Sequence, residues 1–349
     1  MHAPTTSARH RRLGRAAVLV ALVVALVAAM TACSTGSGRE VVVYSGRSTD
    51  LIKPLLDDFA AETGISVAFK QADSADLALT LDQELAAGAS PADVFISQSP
   101  GAMAFVESQG GLGELPADLL DLVPEDVRSA DGTWVGLSGR VRVLVYDTDQ
   151  VSEDELPASV FDVVDEPYAG RVAVAPSNGS FQDFVSAMRS EAGDDATQAW
   201  LDALDEQGAP TYANNNAIVD AVIRGEVPMG LVNHYYLERR KAEDPQVAAE
   251  NYIFPDADVG SVLLVTAAGI LDTAPNRPEA EELVRFLLSP EAQEYFADET
   301  LEYPLAAGVQ PAGDLPPLDT LATDRVDFGV LGDDFETTLE MIRQSGLTD

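Results

Sequence analysis

Short apolar runs alternate with segments of helical periodicity in the first part of the chain's body, and this alternation constrains the fold most. The runs at 41–44, 65–69 and 93–96 are rich in Val, Ile and Phe and have the length of buried strands. Between them, apolar residues at 51–59 and 77–85 recur at helical spacing, and a glycine follows each segment. This succession predicts an α/β fold with a mostly parallel sheet and helices on both faces.

The rest of the chain continues the pattern in a second series. An apolar run at 141–146 ends in a polar turn and is typical of a strand that crosses between two lobes. Strands and helices alternate again over 171–232, and another buried strand is predicted at 261–268. Helices are expected from Pro278 and from Ser289, because Pro suits a first turn and Ser caps one. With 349 residues, the chain is long enough for two such lobes.

The N-terminal segment has the pattern of an export signal. Residues 1–15 carry four arginines and no acid, and an apolar run at 16–30 follows them. That run is shorter than the roughly 20 residues that cross a membrane. Residues 30–33, Met-Thr-Ala-Cys, resemble a bacterial lipobox, which implies a signal peptide at 1–32 and a lipid on Cys33. The alternatives are an uncleaved anchor or an ordinary signal with an incidental cysteine.

The lipobox resemblance also implies where the mature protein resides. Residues 33–39 would form a short lipidated tether of small polar residues. The body would then be exported and held at the outer face of the cytoplasmic membrane, which it would contact only through the lipid anchor.

The charge balance excludes several classes of partner. The chain has 58 Asp and Glu against 21 Lys and Arg, a formal net charge of −37. Nucleic acids are bound through clustered Lys and Arg, so a nucleic-acid partner is excluded, and attraction to anionic lipid is disfavoured. With one Cys and three His, thiolate and imidazole sites are scarce. Ligand chemistry must therefore come from oxygen ligands, amides and hydroxyls.

Three strand-to-helix junctions of the second series carry polar residues. They are Ser-Asn-Gly-Ser at 177–180, Tyr-Ala-Asn-Asn-Asn at 212–216 and Asn-His-Tyr-Tyr at 233–236. Open α/β sheets bind ligands at such places, because the first amides of a helix point there unpaired. Ser and Asn are also ordinary helix caps, so capping alone accounts for the first two junctions equally well.

The adjacent tyrosines of the third junction suggest a metal. Two phenol oxygens leaving one junction can meet at a hard, highly charged cation. Because phenol has a pKa of about 10, ligation at neutral pH needs a cation strong enough to displace its proton, and Fe(III) is the natural candidate. The alternative is that one tyrosine lies in the core and the other at the surface.

The order and spacing of several strings resemble the periplasmic ferric-ion-binding proteins of bacterial ABC iron importers, the bacterial transferrins. The strings are Val-Val-Val-Tyr-Ser-Gly-Arg at 41–47, Glu-Thr-Gly-Ile at 62–65, Ser-Pro-Ala-Asp-Val-Phe at 90–95, Trp-Val-Gly-Leu-Ser-Gly-Arg at 134–140, Val-Tyr-Asp at 145–147, Asn-His-Tyr-Tyr at 233–236 and Glu-Tyr-Pro-Leu at 302–305. The resemblance implies a two-lobed type II periplasmic-binding-protein fold that closes on its ligand. The lobes would comprise residues 40–140 plus 262–305 and residues 141–261 plus 306–349.

The resemblance also implies a ligand set. Tyr235 and Tyr236 would bind Fe(III), and an anion such as carbonate, phosphate or citrate would complete the coordination. Arg239 matches an arginine that some members place near the metal. The partner would be the permease of an ABC importer, and we expect a monomer. The residues that match the family's anion-binding positions are Asn178, Gly179, Ser180, Asn215 and Asn233.

The first lobe departs from the family pattern. Ser48 stands where some members carry a histidine ligand, and Gln98 replaces the usual glutamate ligand. Ser180 stands where another branch has an additional tyrosine ligand. Neither Ser48 nor Gln98 is a strong anionic ligand. The metal would therefore be held by two phenolates, an anion and water, or would arrive already chelated.

Three alternatives remain at this point. The same fold could bind an iron chelate or a small phosphorylated or other anionic metabolite. A surface hydrolase would need a nucleophile elbow, but Arg140 occupies the last position of the Gly-x-Ser-x-Gly pattern begun at Gly136, and His234 would be the only base in the mature chain. A purely structural envelope lipoprotein leaves the three polar junctions unexplained. We therefore expect a binding protein and not an enzyme.

Overall fold

The computed structural model describes residues 38–312, 315–318, 328, 331 and 335–348. The predicted signal peptide at 1–32 and the lipidation site Cys33 lie outside the described residues, as does most of the tether. Within the described ranges, no helix is both long and apolar enough to cross a membrane.

The first part of the body alternates strands and helices as the sequence predicts. Apolar residues of the first helix recur at helical spacing and are buried, which explains why this segment packs against the sheet. A glycine in the left-handed region, Gly64, ends that helix. The elements are β1 (Glu40–Ser45), α1 (Thr49–Thr63), β2 (Ser66–Gln71), α2 (Ser74–Ala86), β3 (Val94–Ser97), α3 (Pro100–Ser108) and α4 (Ala117–Leu120).

The second part contains the three predicted junctions. The predicted helices after them are present, and so are the two later helices that begin with Pro in the first turn. The elements are β4 (Trp134–Asp147), β5 (Val172–Ala173), α5 (Gly179–Ala192), α6 (Asp194–Glu206), α7 (Asn215–Ile223), β6 (Met229–Asn233), α8 (Tyr235–Glu243), β7 (Ala249–Tyr252), β8 (Leu263–Ile270), α9 (Arg277–Leu287), α10 (Pro290–Asp298), β9 (Tyr303–Pro304) and α11 (Phe335–Gln344).

The long strand β4 connects two groups of strands. The main order is β2-β1-β3-β8-β4-β6-β5, and β7 and β9 also pair with β4. All 14 residues of β4 are buried. Its residues 134–141 pair with β8, whereas 142–146 pair with β6. Strand β4 thus passes from one group of strands to the other, as predicted. The observed strand begins seven residues before the predicted 141–146 run. The lobe boundaries stay a prediction.

Strand direction corrects one detail of the expected fold. The pairs β1–β2, β1–β3 and β5–β6 are parallel, as expected. In contrast, β4 is antiparallel to β6, β7, β8 and β9, and β3 is antiparallel to β8. Parallel pairing follows where a single helix joins neighbouring strands, and β4 and β8 are not joined to their neighbours in this way. The fold is α/β as predicted, with a mixed sheet.

Aromatic packing fixes α5, whose N-terminus belongs to the first junction. Phe181 and Phe184 are buried and lie 6.4 Å and 5.9 Å, centroid to centroid, from the ring of Trp200 on α6. Similarly, Gly230 of β6 lets α7 approach closely, because a Cβ there would lie 2.2 Å from a methyl carbon of Ile218. Packing of this kind holds the helix N-termini in place beside the sheet.

Candidate functional site

Hydrogen bonds join the three polar junctions into one cluster. The side-chain oxygen of Asn178 accepts from the Ser180 amide and from Nδ2 of Asn215, both at 3.1 Å. Nδ2 of Asn233 donates to the Ser180 hydroxyl at 3.1 Å. These contacts bring together the N-termini of α5 and α7 and the end of β6. We call Asn178, Gly179, Ser180, Asn215 and Asn233 the amide cluster.

Capping explains part of this cluster. Asn178 caps α5, as its bond to the Ser180 amide shows. In α7, however, the cap is Asn214, which accepts from the Ala217 amide at 3.0 Å. Asn215 is 1% exposed, and its side-chain oxygen has no hydrogen-bond partner among the described residues. A Cβ on Gly179 would meet nothing within 4 Å, so space is open beside the first turn of α5.

The two tyrosines of the third junction lie side by side with their rings in contact. Tyr235 is 1% exposed, and its ring stacks on the half-buried ring of Tyr236 with centroids 4.2 Å apart. Tyr236 is close enough to contribute to the raised pKa of Tyr235. Both residues lie in the first turn of α8, directly after β6. Tyr235 therefore lies in the core, and the half-buried Tyr236 covers it on the side towards solvent.

Burial keeps the Tyr235 phenol protonated at neutral pH. The pKa of Tyr235 is raised well above its ordinary value by burial and by the nearby Tyr236 and Glu302, and Arg140 opposes this rise. Only a cation of high charge density would displace such a proton.

Both ring nitrogens of His234 contact backbone groups. Its Nδ1 accepts from the Val141 amide at 3.2 Å, and its Nε2 contacts the Leu301 carbonyl at 3.0 Å. Burial lowers the pKa of His234 to about 4, so the ring is neutral at physiological pH. Ser138 of the incomplete elbow donates to Glu302 at 3.0 Å. Neither residue is arranged as a nucleophile or a base.

The candidates from the first lobe lie at strand and helix ends but carry no strong ligand. Ser48 precedes α1 and does not cap it with its side chain. Gln98 follows β3, and its backbone carbonyl accepts from the Arg140 guanidinium. Arg239 lies 4.0 Å from Asp50, at the start of α1, so it bridges α8 and α1. Within the described part of the chain, no group of three or more His, Cys, Asp or Glu is placed to hold a metal.

Two arginines of β4 belong to the site, and the sequence reasoning missed them. Arg140 and Arg142 are each 1% exposed. Nε of Arg140 donates to the Ser180 hydroxyl at 3.3 Å, and Nη1 of Arg142 donates to the side-chain oxygen of Asn233 at 3.1 Å. Both therefore contact the amide cluster. The signal was present as an Arg-Val-Arg triplet inside an otherwise apolar strand, which places two charges on one face.

A buried carboxylate links α5 to α3. Oδ1 of Asp183 accepts from the Ser99 hydroxyl at 2.6 Å and from the Gly101 amide at 3.3 Å. Its Oδ2 lies 3.9 Å from Nη2 of Arg140 and has no hydrogen-bond partner among the described residues. Burial raises the pKa of Asp183 to about 7 despite these contacts. This contact joins elements that the sequence assigns to different lobes.

Proteins of known function resemble the whole body of the chain. The major ferric iron-binding protein of Neisseria meningitidis is 32% identical over 316 residues, which cover 88% of this chain and 93% of that protein. Iron-bound HitA from Pseudomonas aeruginosa superposes with a TM-score of 0.83 at 30% identity, over 88% of this chain and 99% of that one. The Trichodesmium protein IdiA (FutA), solved with iron and citrate ligands, gives a TM-score of 0.75 at 27% identity, over 88% and 99%.

These neighbours have the two-lobed type II fold, which confirms the fold class predicted from the sequence. The family model described as bacterial extracellular solute-binding protein matches residues 89–326, well over half of the chain. The chain belongs to the bacterial extracellular solute-binding protein family.

Proposed function

We propose that this protein captures Fe(III) between its two lobes and delivers it to an ABC importer. The observation that carries the proposal is the pair of Tyr235 and Tyr236, whose rings stack in the first turn of α8. Relatives named for ferric iron binding, at 29–32% identity over most of the chain, support the same cargo. A binding role without turnover agrees with the family and with the engaged state of His234 and Ser138.

Capture would proceed by exchange of protons for the metal. Both phenols lose their protons as the ferric ion binds, and the two phenolates lie on one side of it. The arginines nearby reduce the repulsion between the phenolates, since Arg140 lowers the pKa of Tyr235. Ser48 and Gln98 would line the opposite side as neutral groups, which leaves room in the coordination sphere for water or an anion.

A small anion would complete the coordination at the amide cluster. Asn178, Gly179, Ser180, Asn215 and Asn233 offer amide and hydroxyl donors at the N-termini of two helices, where negative charge is stabilised. Carbonate, phosphate and citrate are the candidates. The Trichodesmium structure contains iron and citrate, which supports an oxygen-rich anion at such a site.

The cellular setting follows from the sequence features. Residues 1–32 would direct export, and Cys33 would carry a lipid that holds the body at the outer face of the cytoplasmic membrane. The partner would be the permease of an ABC importer, and the protein would act as a monomer. Radiolabelled palmitate incorporation, lost in a Cys33→Ala variant, tests the anchor; labelling of both forms or of neither would contradict it.

Metal selectivity tests the proposed cargo. Purified apo-protein is titrated with ferric chloride from a fresh acidic stock, and with zinc, calcium and manganese(II) chlorides, while thermal stability is recorded. Ferric ion should raise the melting temperature, because a ligand that binds only the folded state stabilises it. Equal stabilisation by the divalent ions, or none by ferric ion, would contradict the proposal.

A further inference from the structure

A buried carboxyl joins α5 to the N-terminus of α3. Asp183 is 0% exposed, and its Oδ1 accepts from the Ser99 hydroxyl at 2.6 Å and from the Gly101 amide at 3.3 Å. Packing is tight here, because a Cβ on Gly101 would lie 3.1 Å from the same oxygen and 3.3 Å from the ring of Phe335 at the start of α11. The sequence assigns α3 and α5 to different lobes. Separation of these two helices would break both hydrogen bonds and expose the carboxyl to water.

The charged groups with the largest effect on Asp183 are the two arginines of β4. Nη2 of Arg140 lies 3.9 Å from Oδ2, and Arg142 acts on the carboxyl through its charge. The guanidinium of Arg140 donates elsewhere, from Nε to the Ser180 hydroxyl at 3.3 Å and from Nη2 to the Gln98 carbonyl. The residues that face Asp183 from α3 carry no charge. Both arginines therefore favour the ionised carboxyl, but only through space.

The contact suits the protonated carboxyl better than the ionised one. Oδ2 of Asp183 is buried and has no hydrogen-bond partner among the described residues. An unpaired charge costs more to bury than an unpaired hydroxyl. Burial accordingly raises the pKa of Asp183 from 3.8 to about 7, although its hydrogen bonds and the two arginines oppose the rise. A carboxyl exposed to water would return to an ordinary pKa of about 4.

We propose that Asp183 is a proton-dependent latch between the lobes: α5 stays closed on the N-terminus of α3 while this carboxyl is protonated, and its ionisation favours separation. The inference rests on the proposed capture of Fe(III) between the lobes. Because the closed arrangement holds one more proton than the open one, lower pH favours closure. The effect develops between the pKa of the exposed carboxyl and that of the buried one, and it is level above about pH 7. It opposes the tyrosine pair, which should bind iron better as the pH rises.

Release of ferric ion at different pH values tests the latch. The iron-loaded protein and its Asp183→Asn variant are mixed with excess chelator between pH 5.5 and pH 7.5, and loss of the visible iron band gives the release rates. Protonation of the tyrosines affects both proteins, so the ratio of the two rates isolates Asp183. The rate of the unmodified protein relative to the variant should rise by at least about tenfold over this range, because one coupled proton changes an equilibrium by up to about tenfold per pH unit. A ratio that does not change with pH would overturn the inference.

Two further variants show whether the effect belongs to this carboxyl. Asp118→Asn removes an exposed carboxylate that pairs with Arg285 at 2.7 Å, and its release rate should follow that of the unmodified protein at every pH. Ser99→Ala keeps Asp183 but removes a hydroxyl that lowers its pKa, so the midpoint of the pH effect should move to higher pH. Circular dichroism establishes that each variant folds. An unchanged midpoint in Ser99→Ala would place the titration on another group and overturn the latch.

Measurements without iron separate this inference from the proposed function. Solution scattering of the apo-protein reports lobe separation, and infrared spectroscopy reports protonated carboxyls. In the unmodified protein, the radius of gyration should increase between pH 5.5 and pH 7.5 while a carboxyl band that Asp183→Asn lacks disappears. These changes in a protein that takes up no ferric ion would refute the ferric function and leave the latch intact. Ferric uptake without them would refute the latch and leave the ferric function intact, and the unmodified protein alone decides this if the variants do not fold.

Discussion

The rings of Tyr235 and Tyr236 stack with their centroids 4.2 Å apart and an angle of 29° between their planes. Side chains of adjacent residues in a strand would point to opposite faces. Here β6 ends at Asn233, and the pair occupies the first turn of α8, where neighbouring side chains diverge less. The position of the strand-to-helix junction thus allows the rings of two consecutive tyrosines to stack.

Loss of either phenol should impair ferric binding. Tyr235→Phe and Tyr236→Phe each remove one anionic ligand, and each should weaken ferric affinity by at least about a hundredfold, on the scale of a lost strong metal–ligand contact. Competition against a chelator of known ferric affinity measures the change. Tyr252→Phe is the matched control, because the Tyr252 hydroxyl donates to the Pro157 carbonyl at 3.0 Å and lies on β7. Unchanged affinity in both single variants would count against the assignment.

Ferric uptake should release protons from the tyrosine pair. The raised pKa of Tyr235 keeps this phenol protonated across the neutral range, so metal binding must expel its proton. Apparent affinity should therefore rise with pH. In weakly buffered solution, a pH-stat should record fewer protons released per iron from Tyr235→Phe than from the unmodified protein. Identical release from both would show that Tyr235 does not ionise on binding.

The buried pair of Arg47 and Glu302 should matter for stability. Burial alone would raise the pKa of Glu302, but the charge and hydrogen bonds of Arg47 hold it below its ordinary value. Glu302→Gln leaves the guanidinium unpaired and should lower the free energy of unfolding by about 3–5 kcal/mol. Urea unfolding measures the change.

The control for this pair is Glu226→Gln, which breaks the exposed contact with Arg224 and should change stability little.

The depressed pKa of Glu302 also determines how stability changes with pH. The stabilisation is present above the unfolded-state pKa of the carboxyl and is lost as the pH falls through its folded-state pKa. A Glu302→Gln variant as stable as the unmodified protein at pH 7 would contradict this account.

Asp183 should make stability depend on pH near neutrality. Burial raises the pKa of Asp183 from 3.8 to about 7, so the folded state favours the protonated carboxyl. This contribution is complete below the unfolded-state pKa and is lost as the pH rises through about 7. Asp183→Asn keeps an oxygen for Ser99 and Gly101 but does not ionise, so relative to the unmodified protein it should gain stability between pH 5 and pH 8. A pH-independent difference in urea midpoints would exclude this titration.

The parts of the molecule that the sequence predicted are those set by local patterns. Apolar periodicity predicted α1 and α2, and the cap residues predicted the starts of α5 and α10. The junction motifs also identified residues that the fold brings together, since Asn178, Asn215 and Asn233 share one hydrogen-bonded cluster. Local sequence carries this information because strand ends and helix starts lie at the same edge of a sheet.

The parts that the sequence did not predict depend on long-range contacts. Strand direction in β4 follows from pairing with β8, more than a hundred residues away, which no local pattern encodes. Likewise, the contact between Asp183 and Ser99 spans 84 positions. The triplet Arg140-Val141-Arg142 reads as a polar interruption of a strand, and only the fold shows that both guanidiniums are buried beside the amide cluster.

The measurement that tests the central claim most directly is resonance Raman spectroscopy of the ferric-loaded protein, with excitation in its visible absorption band. Coordination by Tyr235 and Tyr236 predicts a phenolate-to-iron charge-transfer band and enhanced tyrosinate ring modes, both absent from the Tyr235→Phe, Tyr236→Phe double variant. An iron-loaded protein without the band and these modes, or a double variant that retains them, would contradict the claim that this tyrosine pair holds the ferric ion.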